Sequence, residues 1–469
     1  MGAGGGGIAP VKELSVAAAA DECGAAPALI DAVGSRTWSE LAEASRLEAE
    51  TPRRVEGTLD LGGGATALVV RVEAGAPAVA LILGSLEAGV PLALVPPTWS
   101  EAQLAAVLGQ GLAPQSVRLA DLAGSWSPEA IAALVATSGT TGGPRFACLS
   151  RRAIQAAAVA GAERVGWSSE GRWWAALAPS TVGGLSIVTR ALVARGAVAL
   201  GRAERFEPEG FVAALADAEA THTSLVPTML ARLVRHGRRP PGSLRAVLVG
   251  GAAAGPELLQ AAWDLGWPAL PSWGATETAA QAATLPLSWW QDPASAPVPL
   301  AQAGCGPPLP GVRIVVDDPD PDGVGVLEVQ GPTLFSGYFG QTLGLRSWQS
   351  GDLARVDEVG NLHVIGRRDG VLITGGRKIH PEQIEVAIAG YEGVEAACVL
   401  GLPDPEWGQR LVALIETADP SSVDLDALRT WLGSRLERWQ VPRELRLVPA
   451  LPRLSGGKID RRRLAAELG

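Results

Sequence analysis

Twice in this chain a short apolar run empties into a loop of small residues and is followed by a helix-like stretch. That alternation constrains the fold more than any other feature. "IAALVAT" (131–137) leads into a Gly/Ser/Thr loop and then "SRRAIQAAAVAGAERV", whose Ser150 is placed to cap a helix. "AVLVGGAAA" (246–254) is followed by "GPELLQAAWDLG" in the same way. Strands alternating with helices predict an α/β sheet whose ligand sits at the carboxyl ends of the strands. With 469 residues, the chain exceeds a single compact core, and roughly two to four domains are expected.

The texture changes after about residue 285. "PLSWWQDPASAPVPLAQAGCGPPLPG" is loop-like, and "VRIVV" and "GVLEVQG" around "DDPDPDG" predict a hairpin. The acidic turn lacks the spacing of a calcium loop and reads as solvated. A second boundary lies near residue 367, dividing the chain into 1–367 and 368–469. Beyond it, "EQIEVAIAG" predicts a short helix, and "VEAACVLGL" and "RLVALIE" predict strands. "DLDALRTWLGSRLERW" sets Leu425, Leu428, Trp431, Leu432 and Leu436 along one helical face. The expected architecture is α/β: a large N-terminal domain of several subdomains, α/β sheets plus a small β-rich part, with a small α+β C-terminal domain.

Composition excludes several functions. Hydrophobic content of 47% against 19% charged residues suits a folded globular chain. A net charge of −10 argues against a nucleic-acid partner. The basic clusters Arg235–Arg239 and Arg461–Arg463 read as a solvated loop and a solvated tail. Four scattered cysteines form neither a zinc motif nor a disulfide framework and suit a reducing cytoplasm. "MGAGGGGIAP" lacks the order of a signal peptide. "APAVALILGSLEAGVPLALVPP", broken by Glu87 and prolines, reads as buried helix and strand, without membrane insertion. Monomer and homodimer both stay open.

The chemistry is concentrated in "LVATSGTTGGPRFACLS" (134–150). Thr137, Ser138, Gly139, Thr140, Thr141 and Gly142 offer backbone N–H groups and hydroxyls, a concavity that can bind phosphate without a lysine of its own. Three further stretches accompany it: "SWGATETAA" (272–280), "SGDLARVDEVGNLHVIGRRDGVLITGGRKIHPEQIE" (350–385) and "LPRLSGGKIDRRRL" (451–464). In this order they resemble the signature of the adenylate-forming enzymes, which comprise acyl-CoA synthetases, adenylation domains and luciferases. The usual forms there are T-S-G-T-T-G-x-P-K, Y-G-x-T-E, T-G-D, G-R-x-D and P-x-x-x-x-G-K. The resemblance runs from about residue 130 onward; the first 130 residues match loosely, through "RTWSEL" and "GSLEAGVPLALVPPTWSEAQL".

The resemblance implies ATP, Mg²⁺ and CoA as co-substrates and cofactor. The loop would hold the departing phosphates, Glu277 the metal and Thr276 the α-phosphate. Gly250, Gly251 and Ala252 would form a wall for adenine, with Trp273, beside Gly274, replacing the usual tyrosine on its other side. Asp352 and Arg367 would meet the ribose. Lys458 would bridge the substrate carboxylate and the α-phosphate from the C-terminal domain, stabilising charge on the transferring group. Arg145 stands where a loop lysine is common. Asp369 falls at the hinge, Gly376 would line a pantetheine tunnel that a side chain would obstruct, and Arg377 or Lys378 would meet CoA phosphate.

Amino-acid adenylation domains carry an aspartate in the segment matching "WWAALAPSTVGGLSIVTRALVARG", which here has no acid. "VGGLSIVTRAL" and "TETAAQAAT" are similar to the o-succinylbenzoate–CoA ligases of menaquinone and phylloquinone synthesis, with Thr181 about where those have histidine. The candidate acyl-pocket residues are Thr181, Gly184, Leu185, Thr278 and Gln281, with Arg190 for a second carboxylate; each could equally be packing. A fatty-acid or aryl-acid ligase and a nucleotide-binding relative without turnover remain alternatives.

Overall fold

The computed structural model describes residues 14–62, 64–108, 114–122, 124–137, 145–201, 206–341, 343–453 and 459–468. The first predicted strand forms as Ile131–Ala136. It runs antiparallel to Phe146–Ser150 in a six-stranded sheet that also holds Leu92–Val95, Ala65–Arg71, Gly57–Gly62 and the short Gly337–Tyr338. Ser150 caps Arg151–Arg164 as its position predicts, its hydroxyl accepting the Ala153 amide at 3.2 Å.

The second sheet has eight strands. Ala269–Ala275, Ala246–Val249, His222–Leu225, Arg172–Trp174, Ala197–Ala199 and Pro27–Asp31 lie parallel at its centre. Antiparallel strands close both ends, Ala280–Thr284 and Gly34–Thr37. Apolar side chains from both sheets and from the helices between them, among them Leu94, Val135, Ile154, Leu185, Val198 and Leu248, merge into one core. That core fixes the two sheets against each other and leaves the carboxyl ends of the parallel strands at a common edge.

The apolar stretch after residue 75 is the buried helix Ala76–Ala88, ended by Gly89 at φ 69°, then the strand Leu92–Val95. Among the described residues no helix is long and apolar enough to cross a membrane. The predicted hairpin forms from Arg313–Asp317 and Gly325–Gln330, and Ser347–Val356 and Leu362–Arg367 extend it to four strands. In its turn the Asp320 carboxylate accepts the amides of Asp322 and Val324, both at 3.0 Å.

The C-terminal part has its own core, built from Ile379, Ile384, Ile388, Val399, Ala413, Ile415, Leu428 and Leu432. Ala396–Asp404 and Gly408–Glu416 pair antiparallel, and Glu444–Val448 adds a parallel strand. The helix expected over 424–439 stops at Gly433. Leu428 and Leu432 are fully buried, while Leu425, Trp431 and Leu436 pack at the margin.

The two basic clusters are less solvated than their composition suggests. Arg235 donates to the Val394 carbonyl and faces Glu395 at 4.0 Å, tying the large domain to the small one. Arg461 bonds Glu385 and the Val399 carbonyl within the small domain. Charge runs look alike in sequence, and only the neighbouring elements decide which members dock.

Candidate active site

At the common edge, Val249 leads into Gly250, Gly251 and Ala252. Gly251 holds φ at +84°, a left-handed conformation costly for other residues. A Cβ at Gly250 would lie 3.1 Å from the Ser272 carbonyl oxygen, so this turn hugs the next strand. That strand carries Trp273, whose indole Nε1 donates to Asp352 Oδ2 at 3.0 Å. Asp352 lies opposite Arg367 in the four-stranded sheet. Arg367 Nη1 donates to Asp352 Oδ1 at 3.1 Å and to the Ser350 carbonyl at 2.8 Å, and its Nε to Asp369 at 3.0 Å. Two separate sequence stretches, on three strands, thus meet in one polar cluster, with Asp369 joined to it.

The strand Ala269–Ala275 turns back through the single 3-10 turn Thr276–Thr278. The turn is tight enough to hold Ala279 at φ 51° and Ala280 at φ 100°, and each left-handed residue costs on the order of 1–2 kcal/mol. A Cβ at Gly274 would sit 1.7 Å from the Ala280 carbonyl oxygen, which leaves glycine alone at that position. Thr276 is half-buried beside Glu277, which is buried. Tyr338 donates its hydroxyl to Glu277 Oε1 at 2.7 Å, and the Arg145 guanidinium lies 3.7 Å over the tyrosine ring. Burial, and then the Glu277 carboxylate, push the Tyr338 hydroxyl above its ordinary pKa, so it stays a donor. The Thr137 amide donates to the Arg145 carbonyl at 2.8 Å. Thr137, Arg145, Tyr338 and Glu277 therefore gather at this edge.

Glu277 fits a hard cation: Tyr338 engages Oε1, and among the described residues no hydrogen bond occupies Oε2. Among the described residues no group of three or more His, Cys, Asp or Glu could hold a metal by itself. Mg²⁺ commonly takes one or two carboxylates and completes its shell with water and phosphate oxygens.

The acyl-segment residues behave differently. Thr181 caps the helix Val182–Ala194; its Oγ1 accepts the Gly184 amide at 3.2 Å and donates to the Ala178 carbonyl at 2.8 Å. A Cβ at Gly184 would fall 2.1 Å from that same carbonyl oxygen. Leu185 lies in the main core beside a void of about 10 Å³, too small for any acid. The Thr278 hydroxyl accepts the Ala275 amide at 2.9 Å and donates back into its own turn. Each of these four has a complete structural task. Arg190 does not: it is 2% exposed and stacks on Trp173 at 4.6 Å. Its Nη2 donates to Gln281 Oε1 at 2.7 Å, and Gln281 passes a bond to Thr284 at 2.8 Å. Among the described residues Arg190 Nε and Nη1 have no hydrogen-bond partner, and burial pushes its pKa down to about 10.

In the small domain, Gly375 and Gly376 turn the hairpin Leu372–Thr374/Arg377–Ile379 at φ 54° and 75°. A Cβ at Gly376 would meet nothing within 4 Å. The glycine is required there by its backbone conformation, and the described residues leave the space beside its Cα open. Arg377 lies over Trp439 at 3.9 Å, and Lys378 is exposed. The small domain docks beside the Gly250–Ala252 turn, since a Cβ at Gly255 would lie 2.6 Å from Val386. Ser138, Gly139, Thr140, Thr141, Gly142 and Lys458 lie outside the described residues.

Tyr338 escaped the motif reading. It is one of only two tyrosines in the chain, and that scarcity was the one available signal.

Comparison with known proteins agrees with this geometry. The profile of the AMP-binding enzyme family matches residues 113–339, and that of the AMP-binding enzyme C-terminal domain matches 383–458. A 2-succinylbenzoate–CoA ligase of Staphylococcus aureus (strain MSSA476) is 29% identical over 346 residues, 72% of this chain and 68% of the relative. The o-succinylbenzoate CoA synthetase of Bacillus subtilis, solved with the acyl-adenylate intermediate, superposes with a TM-score of 0.80 at 25% identity, covering 97% of this chain and 98% of that one. The same enzyme solved with ATP and magnesium ion gives 0.79 at 25% identity, covering 96% and 98%.

Proposed function

The chain belongs to the AMP-binding enzyme family, and from that premise we propose that it is an ATP-dependent acid–CoA ligase acting on 2-succinylbenzoate. The products are 2-succinylbenzoyl-CoA, AMP and pyrophosphate. The observation that carries this reading is the convergence of Trp273, Asp352 and Arg367 with Thr276 and Glu277 at one sheet edge. The 2-succinylbenzoate ligases among its relatives support the choice of acid.

In the first half-reaction a carboxylate oxygen of the acid attacks the α-phosphorus of ATP, and pyrophosphate leaves. Gly250–Ala252 and Trp273 bind adenine, and Asp352 with Arg367 the ribose. Thr276 holds the α-phosphate, and Thr137–Gly142 with Arg145 hold the departing phosphates. Mg²⁺ on Glu277 would supply charge neutralisation on the phosphate oxygens. Lys458 brings an ammonium to the oxygens on which charge develops. In the second half-reaction the CoA thiol attacks the acyl carbonyl and AMP departs.

A division into 1–367 and 368–469 belongs to the same reading, with Asp369 as the pivot. Its bond to Arg367 links the pivot to the ribose site. Rotation about it would remove Lys458 and bring Gly376, Arg377 and Lys378 towards CoA. Arg190, with Nε and Nη1 both unpartnered among the described residues, suits the second carboxylate of a dicarboxylic acid. Four free cysteines suit a cytoplasmic setting.

The test is purified protein with 2-succinylbenzoate, ATP, Mg²⁺ and CoA, read as AMP and thioester by mass spectrometry. Turnover of benzoate or octanoate in preference would overturn the substrate assignment. Absence of AMP with every acid in a panel would overturn the activity.

A further inference from the structure

Asp352 is held from two sheets at once. Arg367, its neighbour in the four-stranded sheet, donates to Oδ1 at 3.1 Å, while Trp273, 79 residues away on the eight-stranded sheet, donates to Oδ2 at 3.0 Å. The torsion that turns a carboxylate about its Cβ–Cγ bond is soft and broad. One donor leaves that plane free to rock; two donors on different oxygens set it. A carboxylate offers about four acceptor positions, so these two contacts leave about two, as many as a ribose has hydroxyls. The Trp273 ring has little freedom of its own, because it packs against the clusters that include Leu309, Val329 and Ala282 on one hand and Ala283, Leu327 and Ala354 on the other.

We propose that Trp273 is a positioning residue whose indole N–H aims the Asp352 carboxylate at the ribose hydroxyls and so sets the preference for ribonucleotide over deoxyribonucleotide. This rests on the reading of Asp352 as the ribose acceptor. A tyrosine here would carry its only donor at the far end of the ring, so the contact depends on a ring N–H at the position of the indole nitrogen. The adenine-facing surface and the sugar-reading carboxylate are thereby one mechanical unit spanning two sheets.

The experiment compares kcat/KM for ATP, 2′-deoxyATP and 3′-deoxyATP in pyrophosphate release, for the wild type and three variants. Trp273→Phe keeps a flat ring and loses the donor; it lowers the ribo-to-deoxy ratio by about tenfold, as expected for a hydrogen bond to a charged group. Trp273→His keeps an N–H where the indole has one and loses the second ring; it retains the ratio while weakening all three nucleotides alike. Asp352→Asn lowers the ratio at least as far as Trp273→Phe. Each ratio comes from one preparation, so the fraction folded cancels. A Phe variant with the wild-type ratio, or a His variant that loses the ratio as fully as Phe, overturns the role of Trp273. A wild-type ratio in Asp352→Asn overturns the ribose reading instead. Should the Phe variant not fold, the His variant decides alone: ratio retained supports the inference, ratio lost overturns it.

Discussion

The nucleotide edge and the acyl segment contrast sharply. At the nucleotide edge polar side chains reach across elements: Trp273 to Asp352, Tyr338 to Glu277, Arg367 to Asp352. In the acyl segment Thr181 closes its own turn, and Gly184 lets one carbonyl approach. Polar groups that bond across elements are preorganised towards a common point, and those that bond within a turn build the scaffold. Arg190 breaks the pattern, since it is buried in the acyl segment with two guanidinium nitrogens unpartnered among the described residues.

The largest effect is expected from the lysine proposed for adenylation. Lys458→Ala is expected to lower acyl-adenylate formation by about 10² to 10³, yet spare thioester formation from supplied acyl-adenylate. Equal losses in both half-reactions would remove Lys458 from the adenylation step.

Tyr338→Phe keeps the ring under Arg145 and removes one bond to a carboxylate, worth about 1.5–3 kcal/mol. It should raise the Mg²⁺ concentration needed for pyrophosphate release by about tenfold or more, while metal-free nucleotide affinity by calorimetry stays unchanged. An unchanged Mg²⁺ requirement would show that Glu277 does not need the tyrosine.

Arg190→Met sharpens the contrast from the other side. Removing a buried, uncompensated guanidinium should stabilise the ligand-free protein by about 1 kcal/mol, read from urea unfolding, while weakening 2-succinylbenzoate more than benzoate. A loss of stability with equal losses for both acids would make Arg190 a packing residue.

Thr181→Ala should be the mildest. Loss of the cap costs about 1 kcal/mol, with KM for the acid unchanged. A large rise in that KM would move Thr181 into the acyl pocket and blur the division between the two regions.

Much of the scaffold was legible in the chain because its causes are local. Ile131–Ala136, the Ser150 cap, the hairpin around "DDPDPDG" and the buried pair Leu428 and Leu432 follow from apolar periodicity and capping chemistry within a few residues. The motif order likewise pointed to Glu277, Asp352 and Arg367. The stop at Gly433, six residues before the expected end at Trp439, shows the limit even there, since the last turns depend on what they pack against.

What the amino-acid order determined by itself was the alternation of elements, the turns that require Gly251 and Gly274, and the set of groups available for the chemistry. Only the tertiary structure decided which groups meet. Trp273 and Asp352 are 79 residues apart, Glu277 and Tyr338 are 61, and Arg235 reaches Val394 across 159. Such pairs depend on how sheets and domains stack, and no local pattern encodes a partner that another sheet must deliver. The same distance explains Arg190: whether a buried arginine is satisfied is a property of everything around it, and its own sequence neighbours carry no trace of the answer.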